Sequence, residues 1–277
     1  MFLPLLKINF VSAYCKTVKH YTSTNLAVHK KHRMIKKTLI IGLTVITLIS
    51  CNSKSKKAET TIKNNSAVQV VGAMKNVMWK GELGGTINLD TIKNKIGLYA
   101  LGPIEYLTGE LLIIDGESYA SSVMTDSTMA IQETYKVKAP FFVYANQTEW
   151  NIENLQPDIR TIKDLEAFIN KVTVDFKRPF VFKLKGYVDA AEIHIQNLPK
   201  GSKVRSPEEA HVGQTNYSLE NSEVEIVGFF STEHKGVFTH HDSNVHMHLI
   251  TTDRKKMGHL DNVSFGKGTV KVYLPKK

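Results

Sequence analysis

Alternating apolar and polar positions dominate the second half of the chain and predict a sheet-rich fold. Residues 180–187 and 190–195 follow the period of two that a strand with one buried face requires. Residues 224–230 form an apolar run that predicts a further strand. Two shorter strands are predicted near the end of the chain, over residues 263–265 and 269–274.

The first half combines a clear turn signal with one helical segment. An Asp-Gly pair at 115–116 separates strands predicted over 110–114 and 117–120, which is the pattern of a β-hairpin. Residues 140–145 predict a buried strand, and apolar spacing over 159–172 predicts an amphipathic helix. Two short elements precede these, a strand over 67–71 and a helical turn over 74–79. Few helices among many strands predict a sheet-dominated α+β fold.

The high net positive charge does not indicate a nucleic-acid partner, because most of it lies in the first 51 residues. The 277 residues carry a formal net charge of +10, but residues 1–51 hold eight basic residues and no acidic one, which leaves +2 for the remainder. That remainder has no basic stripe with interleaved aromatic residues, so nucleic acid is set aside as a partner. The two cysteines, Cys15 and Cys51, both lie in this leader, so no disulfide or cysteine metal site is expected after it.

Residues 34–51 are typical of an export signal. A charged start is followed by an apolar run over 38–49, shorter than the roughly 20 residues that span a bilayer. The run ends in Leu-Ile-Ser-Cys at 48–51, which resembles a bacterial lipobox whose cysteine becomes the lipidated N-terminus. An ordinary membrane anchor is the alternative. We expect an exported protein, held at the cell envelope by a lipid on Cys51, in the periplasm or on the cell surface.

The same interpretation divides the leader into three parts. Met34 is the expected start, so residues 1–33 are interpreted as a non-native or unstructured extension. Residues 34–51 form the lipoprotein signal peptide, and residues 52–66 form a polar tether.

Three histidines supply the candidate chemistry. His246 and His248 flank Met247 in a predicted strand, so both rings point to one face. A polar turn over 251–256 follows, and a hairpin of that length brings His259 back beside the pair. Three imidazoles with an open fourth position are typical of a catalytic metal site, and zinc is the commonest occupant.

Two alternatives to this metal site remain open. The chain has eleven histidines, so three surface or core histidines could cluster without a metal. His240 and His241 also compete as ligands, although adjacent strand residues face opposite ways and at most one of them would join the cluster without a bend.

Taken together, these segments resemble the alpha-acetolactate decarboxylase family. The resemblance runs from about residue 67 to residue 274, and its order and spacing are more specific than a lone His-x-His. It rests on Gly109-Glu110-Leu111 with Asp115-Gly116-Glu117-Ser118-Tyr119, Pro140-Phe141-Phe142-Val143, Val227-Gly228-Phe229, and His246-Met247-His248 with Gly258-His259.

The resemblance implies that His246, His248 and His259 hold a zinc ion. It also implies two mixed α/β subdomains with the metal between them, which we assign to residues 67–179 and 180–277, and a homodimer. The implied reaction converts 2-acetolactate, a 2-hydroxy-3-keto acid, to acetoin with loss of carbon dioxide.

That reaction needs an electron sink and a proton donor. Zinc would serve as a Lewis acid toward the hydroxyl and ketone oxygens, and a general acid of tuned pKa would deliver the proton. Glu110 matches the family's functional glutamate and is the acid/base candidate. The alternative for Glu110 is a solvated glutamate at a strand edge.

Two departures from the family pattern affect this interpretation. Where the family has an arginine for the substrate carboxylate, Lys183 is the matching candidate, and it supplies charge without a bidentate fork; by itself, it could equally be a solvated strand lysine. The family's C-terminal glutamate has no counterpart before Lys277. Candidate substitutes for that carboxylate are Asp261, Glu233 and Asp242.

The leading functional hypothesis is a zinc-dependent acetolactate decarboxylase, exported and lipid-anchored. The alternatives are a non-catalytic, metal-containing binding lipoprotein on the same scaffold and a lyase for a related hydroxy-keto acid.

Overall fold

The structure, a computed structural model, describes residues 67–266 and 269–276. The predicted signal peptide, the tether and the lipidation site at Cys51 lie outside the described residues. Within them, no helix is both long and apolar enough to cross a bilayer.

The first half of the body is mostly strand. Two short 3₁₀ turns, Leu89–Thr91 and Glu105–Leu107, interrupt it. Its helix and strands in chain order are β1 (Gln69–Val71), α1 (Met74–Lys80), β2 (Ile87–Asn88), β3 (Leu98–Pro103), β4 (Glu110–Ile114), β5 (Glu117–Val123), β6 (Met129–Glu133), β7 (Lys138–Ala139) and β8 (Phe142–Asn146).

Longer strands form the second half of the body. They include two of sixteen residues. The elements in chain order are β9 (Trp150–Asn154), α2 (Ile162–Val172), β10 (Phe180–Ile195), α3 (Pro207–Ala210), β11 (Thr215–Phe230), β12 (Val245–Thr251), β13 (Met257–Ser264) and β14 (Val270–Pro275).

The first sheet is antiparallel, with the order β1-β8-β3-β4-β5-β6, and the small pair β2-β7 lies apart from it. The predicted Asp-Gly hairpin is confirmed, because Ile114 pairs with Glu117 across the turn. Asp115 and Gly116 have φ values of 49° and 89°, the two positive values that the tightest hairpin turn needs.

The second sheet has the order β11-β12-β13-β10-β14-β9, and β10 pairs with β11 as well. This extra pairing closes a ring, because β10 pairs with β11, β11 with β12, β12 with β13 and β13 again with β10. On the edge of β10 away from β11, the first half of the strand pairs with β14 and the second half with β13. The predicted strands over 180–187 and 190–195 are therefore one continuous strand.

Two apolar clusters show which side of each strand faces which layer. Inside the ring, Val245, Met247 and Leu249 of β12 pack with the apolar face of helix α2. Ile250, on the opposite face of β12, belongs to a second cluster that joins residues of both sheets. His246 and His248 alternate with the inward residues, so they lie on the side of the ring that the first sheet covers.

The prediction of a sheet-dominated α+β fold is confirmed, with differences at the element bounds. The amphipathic helix begins at Ile162 rather than at residue 159, because Thr161 caps it: the Thr161 hydroxyl accepts from the Asp164 N–H, and the Asp164 carboxylate accepts from the Thr161 N–H. Strand β11 begins at Thr215, earlier than predicted, since its first half alternates exposed polar residues with buried ones. The division at 179/180 stays a prediction; in the pairing, β9 already belongs to the second sheet.

One close approach in the second sheet can be tested through stability. Gly228 of β11 pairs with Phe182 of β10, and a Cβ at residue 228 would overlap the buried Phe182 ring. Gly228→Ala should lower the free energy of unfolding by about 1–3 kcal/mol, the usual cost of overpacking. Urea denaturation measures this, with Gly84→Ala as the control because no atom lies within 4 Å of the added methyl there. Equal stability of the two variants would contradict the close contact.

Candidate metal centre

The three predicted histidines converge. His248 pairs directly with His259 across the β12–β13 hairpin, as the spacing predicted. The ring centroids of His246 lie 5.1 Å from His248 and 4.9 Å from His259, and those of His248 and His259 are 5.4 Å apart. One nitrogen from each ring lies within 4.8 Å of the other two, and all three residues are buried.

The nitrogen positions fit a divalent ion. Nε2 of His246 lies 3.1 Å from Nδ1 of His259, close to the separation of about 3.3 Å expected for two nitrogens bound to one tetrahedral zinc ion. Nε2 of His248 is buried and makes no hydrogen bond. A buried ring nitrogen without a partner is costly in a native protein, and a metal ion would supply the missing partner.

Burial also favours the protonation state that binds metal. Desolvation lowers the pKa of His248 to about 3 and lowers the pKa of His246 and His259 well below the usual value. Near neutral pH the rings are therefore uncharged, and a neutral imidazole nitrogen is the form that ligates a metal.

Of the competing pair upstream, His240 faces the cluster and His241 is exposed. The His240 ring centroid lies 5.2 Å from that of His259 and 6.2 Å from that of His246. Desolvation lowers the pKa of His240 as well. His240 therefore lines the site, beside the three rings that share one centre.

Glu110 comes from the other sheet. It begins β4, is 3% exposed, and its Oε2 lies 3.6 Å from Nε2 of His248. The Gln196 N–H donates to Oε1 over 3.3 Å. Burial raises the pKa of Glu110 well above its usual range. The solvated strand-edge alternative for Glu110 is therefore wrong.

A β-bulge brings two further side chains to the site. The register of β10 against β13 shifts between Glu192 and Ile193, so Asp261 is the extra residue on β13. His194 then lies opposite His259, with ring centroids 4.6 Å apart. Both carboxylate oxygens of Asp261 lie 2.8 Å from Nδ1 of His194.

Two small cavities adjoin the histidines, and His240, His246 and His259 line both. The first has a volume of about 30 Å³, and its other lining residues are the apolar Met74, Met78, Pro103, Leu107 and Phe141 and the polar Glu110, His194, Gln196 and His211. The second, about 270 Å³, lies toward Asp242 and Asp261. The first cavity thus mixes apolar and polar residues, and the second adds two carboxylates.

The structure does not bring Lys183 to these cavities. Its Nζ donates to the Tyr99 hydroxyl over 3.1 Å and lies within about 5 Å of the ring centroids of Tyr99, Trp150 and Tyr273. Lys183 pairs with Val227 and Tyr273 in the sheet, which fixes it in this aromatic cage. Its predicted contact with a substrate carboxylate finds no support in this geometry.

The three candidate substitute carboxylates are placed differently. Asp261 borders the second cavity, holds His194 and lies 3.8 Å from Nε2 of His259. Asp242 also lines that cavity. Glu233 is exposed on the loop after β11, and neither cavity includes it.

Sequence reasoning missed His194 and Gln196. Their spacing of two at the end of an alternating strand is the same signal as His246-Met247-His248. Their proximity to the histidines depends on pairing between distant strands, which spacing does not reveal.

A family model described as alpha-acetolactate decarboxylase matches residues 71–276. The chain belongs to the alpha-acetolactate decarboxylase family. That assignment confirms the resemblance found in the sequence.

Relatives within the family are distant. The alpha-acetolactate decarboxylase of Brevibacillus brevis is 25% identical over 262 residues, covering 86% of this chain and 87% of that protein. The Streptococcus thermophilus protein of the same name is 24% identical over 194 residues, covering 69% and 78%. The crystal structure of alpha-acetolactate decarboxylase from Bacillus subtilis strain 168 has a TM-score of 0.63 at 22% identity, covering 76% and 86%, and shows a shared fold.

Metal binding should depend on His248. We expect the protein to bind about one equivalent of zinc per chain. His248→Ala should weaken the affinity for zinc by more than about 100-fold, because loss of a metal ligand weakens binding more than loss of a residue that only orients a ligand. Elemental analysis after dialysis against a zinc buffer measures the content. His241→Ala, an exposed neighbour of the site, is the control. Full zinc retention by the His248 variant would contradict the assignment.

Without metal, the protein should lose stability as the pH falls below about 6.5. The unfolded chain takes up protons that the buried imidazoles exclude, so the free energy of unfolding falls toward the folded-state pKa values, about 3 for His248. Glu110 acts in the opposite sense, since its raised pKa keeps a proton in the folded state, but it is one group against three. Melting temperatures measured in chelator at about pH 5 and about pH 6.5 test this, and we expect the lower value at about pH 5. A higher value at the lower pH contradicts it.

Proposed function

We propose that this protein is a zinc-dependent carboxy-lyase that converts 2-acetolactate to acetoin. The observation that carries the proposal is a buried trio of imidazoles, with one nitrogen from each ring within 4.8 Å of the others, facing a buried glutamic acid from the other sheet. Family membership supports the same reaction class.

The metal is proposed from its ligands. Three neutral imidazoles with room for substrate are typical of catalytic zinc, and His246, His248 and His259 are the residues that would hold it. When bound, the ion would supply Lewis acidity toward the hydroxyl and ketone oxygens of the substrate.

Glu110 would supply the proton. Cleavage of the bond between C2 and the carboxylate releases carbon dioxide and leaves an electron pair that spreads onto the ketone oxygen. A proton must then reach C2 to give acetoin. In the metal-free site burial raises the pKa of Glu110, and its Oε2 lies 3.6 Å from Nε2 of His248, a position from which the carboxyl would deliver that proton.

The apolar wall would exclude water from the reacting carbon. Met74 and Met78 of α1, together with Phe141, line the smaller cavity beside the histidines. A dry wall strengthens the electrostatic interactions within the site. We further propose that the two sheets correspond to the two subdomains expected from the family, with the metal between them, and that the protein forms a homodimer.

One observation favours a second candidate, a non-catalytic, metal-containing binding lipoprotein. Among the described residues, neither cavity at the histidines is lined by lysine or arginine. No permanently positive side chain is therefore there to pair with a substrate carboxylate. A lyase for a related hydroxy-keto acid fits the same site. Calorimetry with an acetolactate mimic that cannot lose carbon dioxide separates the decarboxylase from the non-catalytic protein: binding without acetoin formation from acetolactate favours the non-catalytic protein. A screen of other hydroxy-keto acids for loss of carbon dioxide tests for the related lyase.

Loss of the proton donor should slow turnover without loss of metal. Glu110→Gln is expected to lower kcat for acetoin formation by about 10²–10⁴ and to leave the zinc content unchanged, since Glu110 is not one of the three ligands. Acetoin release from racemic 2-acetolactate measures this. Glu233→Gln, on the exposed loop, is the matched control and should retain activity. Full activity of the Glu110 variant would reject this role.

We also propose export and lipid anchoring through Cys51, on the sequence evidence alone. Cys51→Ser should move the protein from the membrane fraction to the soluble fraction, because the thiol that carries the lipid is gone. Fractionation and detection with an antibody measure the distribution. The control is Ser50→Ala at the adjacent position, and this variant should remain in the membrane fraction. Membrane retention of the Cys51 variant would favour an ordinary membrane anchor.

A further inference from the structure

A buried glutamine beside the histidines has an unused hydrogen-bond acceptor. Gln196 follows strand β10, is 4% exposed and lines the smaller cavity. Its side-chain Oε1 is buried and has no hydrogen-bond partner. An orphaned buried carbonyl is uncommon in native proteins and needs a physical explanation.

The neighbours of Gln196 fix which end of its amide is free. Its Nε2 donates to Oε1 of Gln214 over 3.4 Å and contacts Nε2 of His194 at 3.5 Å. An amide nitrogen only donates, so this orientation of the amide requires Nε2 of His194 to be an acceptor.

Asp261 requires the same tautomer of His194. A carboxylate only accepts, and both Asp261 oxygens lie 2.8 Å from Nδ1 of His194, so the ring proton is on Nδ1. Asp261, His194 and Gln214 together hold the Gln196 amide with its nitrogen engaged and its oxygen free. Flipping the amide would set the oxygen against two acceptors.

The backbone of Gln196 connects this oxygen to the proton donor. The Gln196 N–H donates to Oε1 of Glu110 over 3.3 Å. The free side-chain oxygen therefore belongs to the residue that also holds the glutamic acid, within the cavity that His246 and His259 line. Any ligand in that cavity that satisfies Oε1 must present a hydrogen-bond donor.

We propose that Gln196 determines specificity: its Oε1 accepts a hydrogen bond from the hydroxyl of a 2-hydroxy acid. This inference rests on the proposed function and deepens it, because it assigns a residue to the hydroxyl that distinguishes a 2-hydroxy-3-keto acid from a simple 3-keto acid. A site that hydrogen-bonds a hydroxyl discriminates strongly against the analogue that lacks it.

The test compares two inert acids that differ only in this hydroxyl. Zinc-loaded, detergent-solubilised full chain is titrated calorimetrically with 2,3-dihydroxy-2-methylbutanoate and with 3-hydroxy-2-methylbutanoate. The wild type should bind the first acid about tenfold or more tightly, the expected effect of one buried hydrogen bond. Gln196→Leu should lower the ratio of the two affinities by about tenfold, because the hydrogen bond is lost while any contact of the hydroxyl with zinc remains. General damage to the site would weaken the binding of both acids and leave the ratio of their affinities unchanged.

The chain offers a matched control. Gln147 is likewise buried, with a side-chain Oε1 that lacks a partner, but it lines a different pocket. Gln147→Leu should keep the wild-type ratio. An unchanged ratio in Gln196→Leu, no preference in the wild type, or failure of the wild type to bind either acid each overturns the proposal. Acetoin formation by the wild type is measured separately, so failure of the proposed reaction is distinguishable from failure of this assignment.

Discussion

The site depends on one constraint: ring nitrogens buried between two sheets need a partner that the protein itself does not provide. Nε2 of His248 has no hydrogen bond, and the nearest group across the gap is the Glu110 carboxyl at 3.6 Å. Burial lowers the pKa of His248 and raises the pKa of Glu110, so both groups favour their uncharged forms. A divalent ion bound by the three histidines would supply the missing partner, beside the carboxyl that is the proposed proton donor.

The architecture explains how strands bring the three histidines of the site together. The ring of strands β10 to β13 gives its inward side chains to one apolar core and leaves the alternate residues of β12 facing the first sheet. That alternation alone places His246 and His248 on the face of β12 that is directed toward the first sheet. The bulge at Asp261 then turns β13 so that His194 lies opposite His259 and takes Asp261 as its partner. Strand pairing therefore sets the positions of the three histidines and of His194.

Electrostatically the site differs from one built to capture an anion. The described cavity walls carry imidazoles, an amide, carboxyl groups and apolar side chains, and no lysine or arginine. Lys183, the cation that sequence reasoning selected, is held by three aromatic rings, and burial lowers its pKa.

The sequence by itself determined the elements with strong local signals and the residues carried by them. The Asp-Gly turn, the amphipathic helix and the His246-Met247-His248 strand with His259 across its hairpin follow from side-chain period and turn chemistry, which act over a few residues. Only the tertiary structure decided which distant strands meet. It placed Glu110 against His248, put Lys183 in an aromatic cage, and brought His194 and Gln196 into the site through a ring closure and a bulge. Those contacts depend on pairing between segments far apart in the chain, which no local pattern encodes.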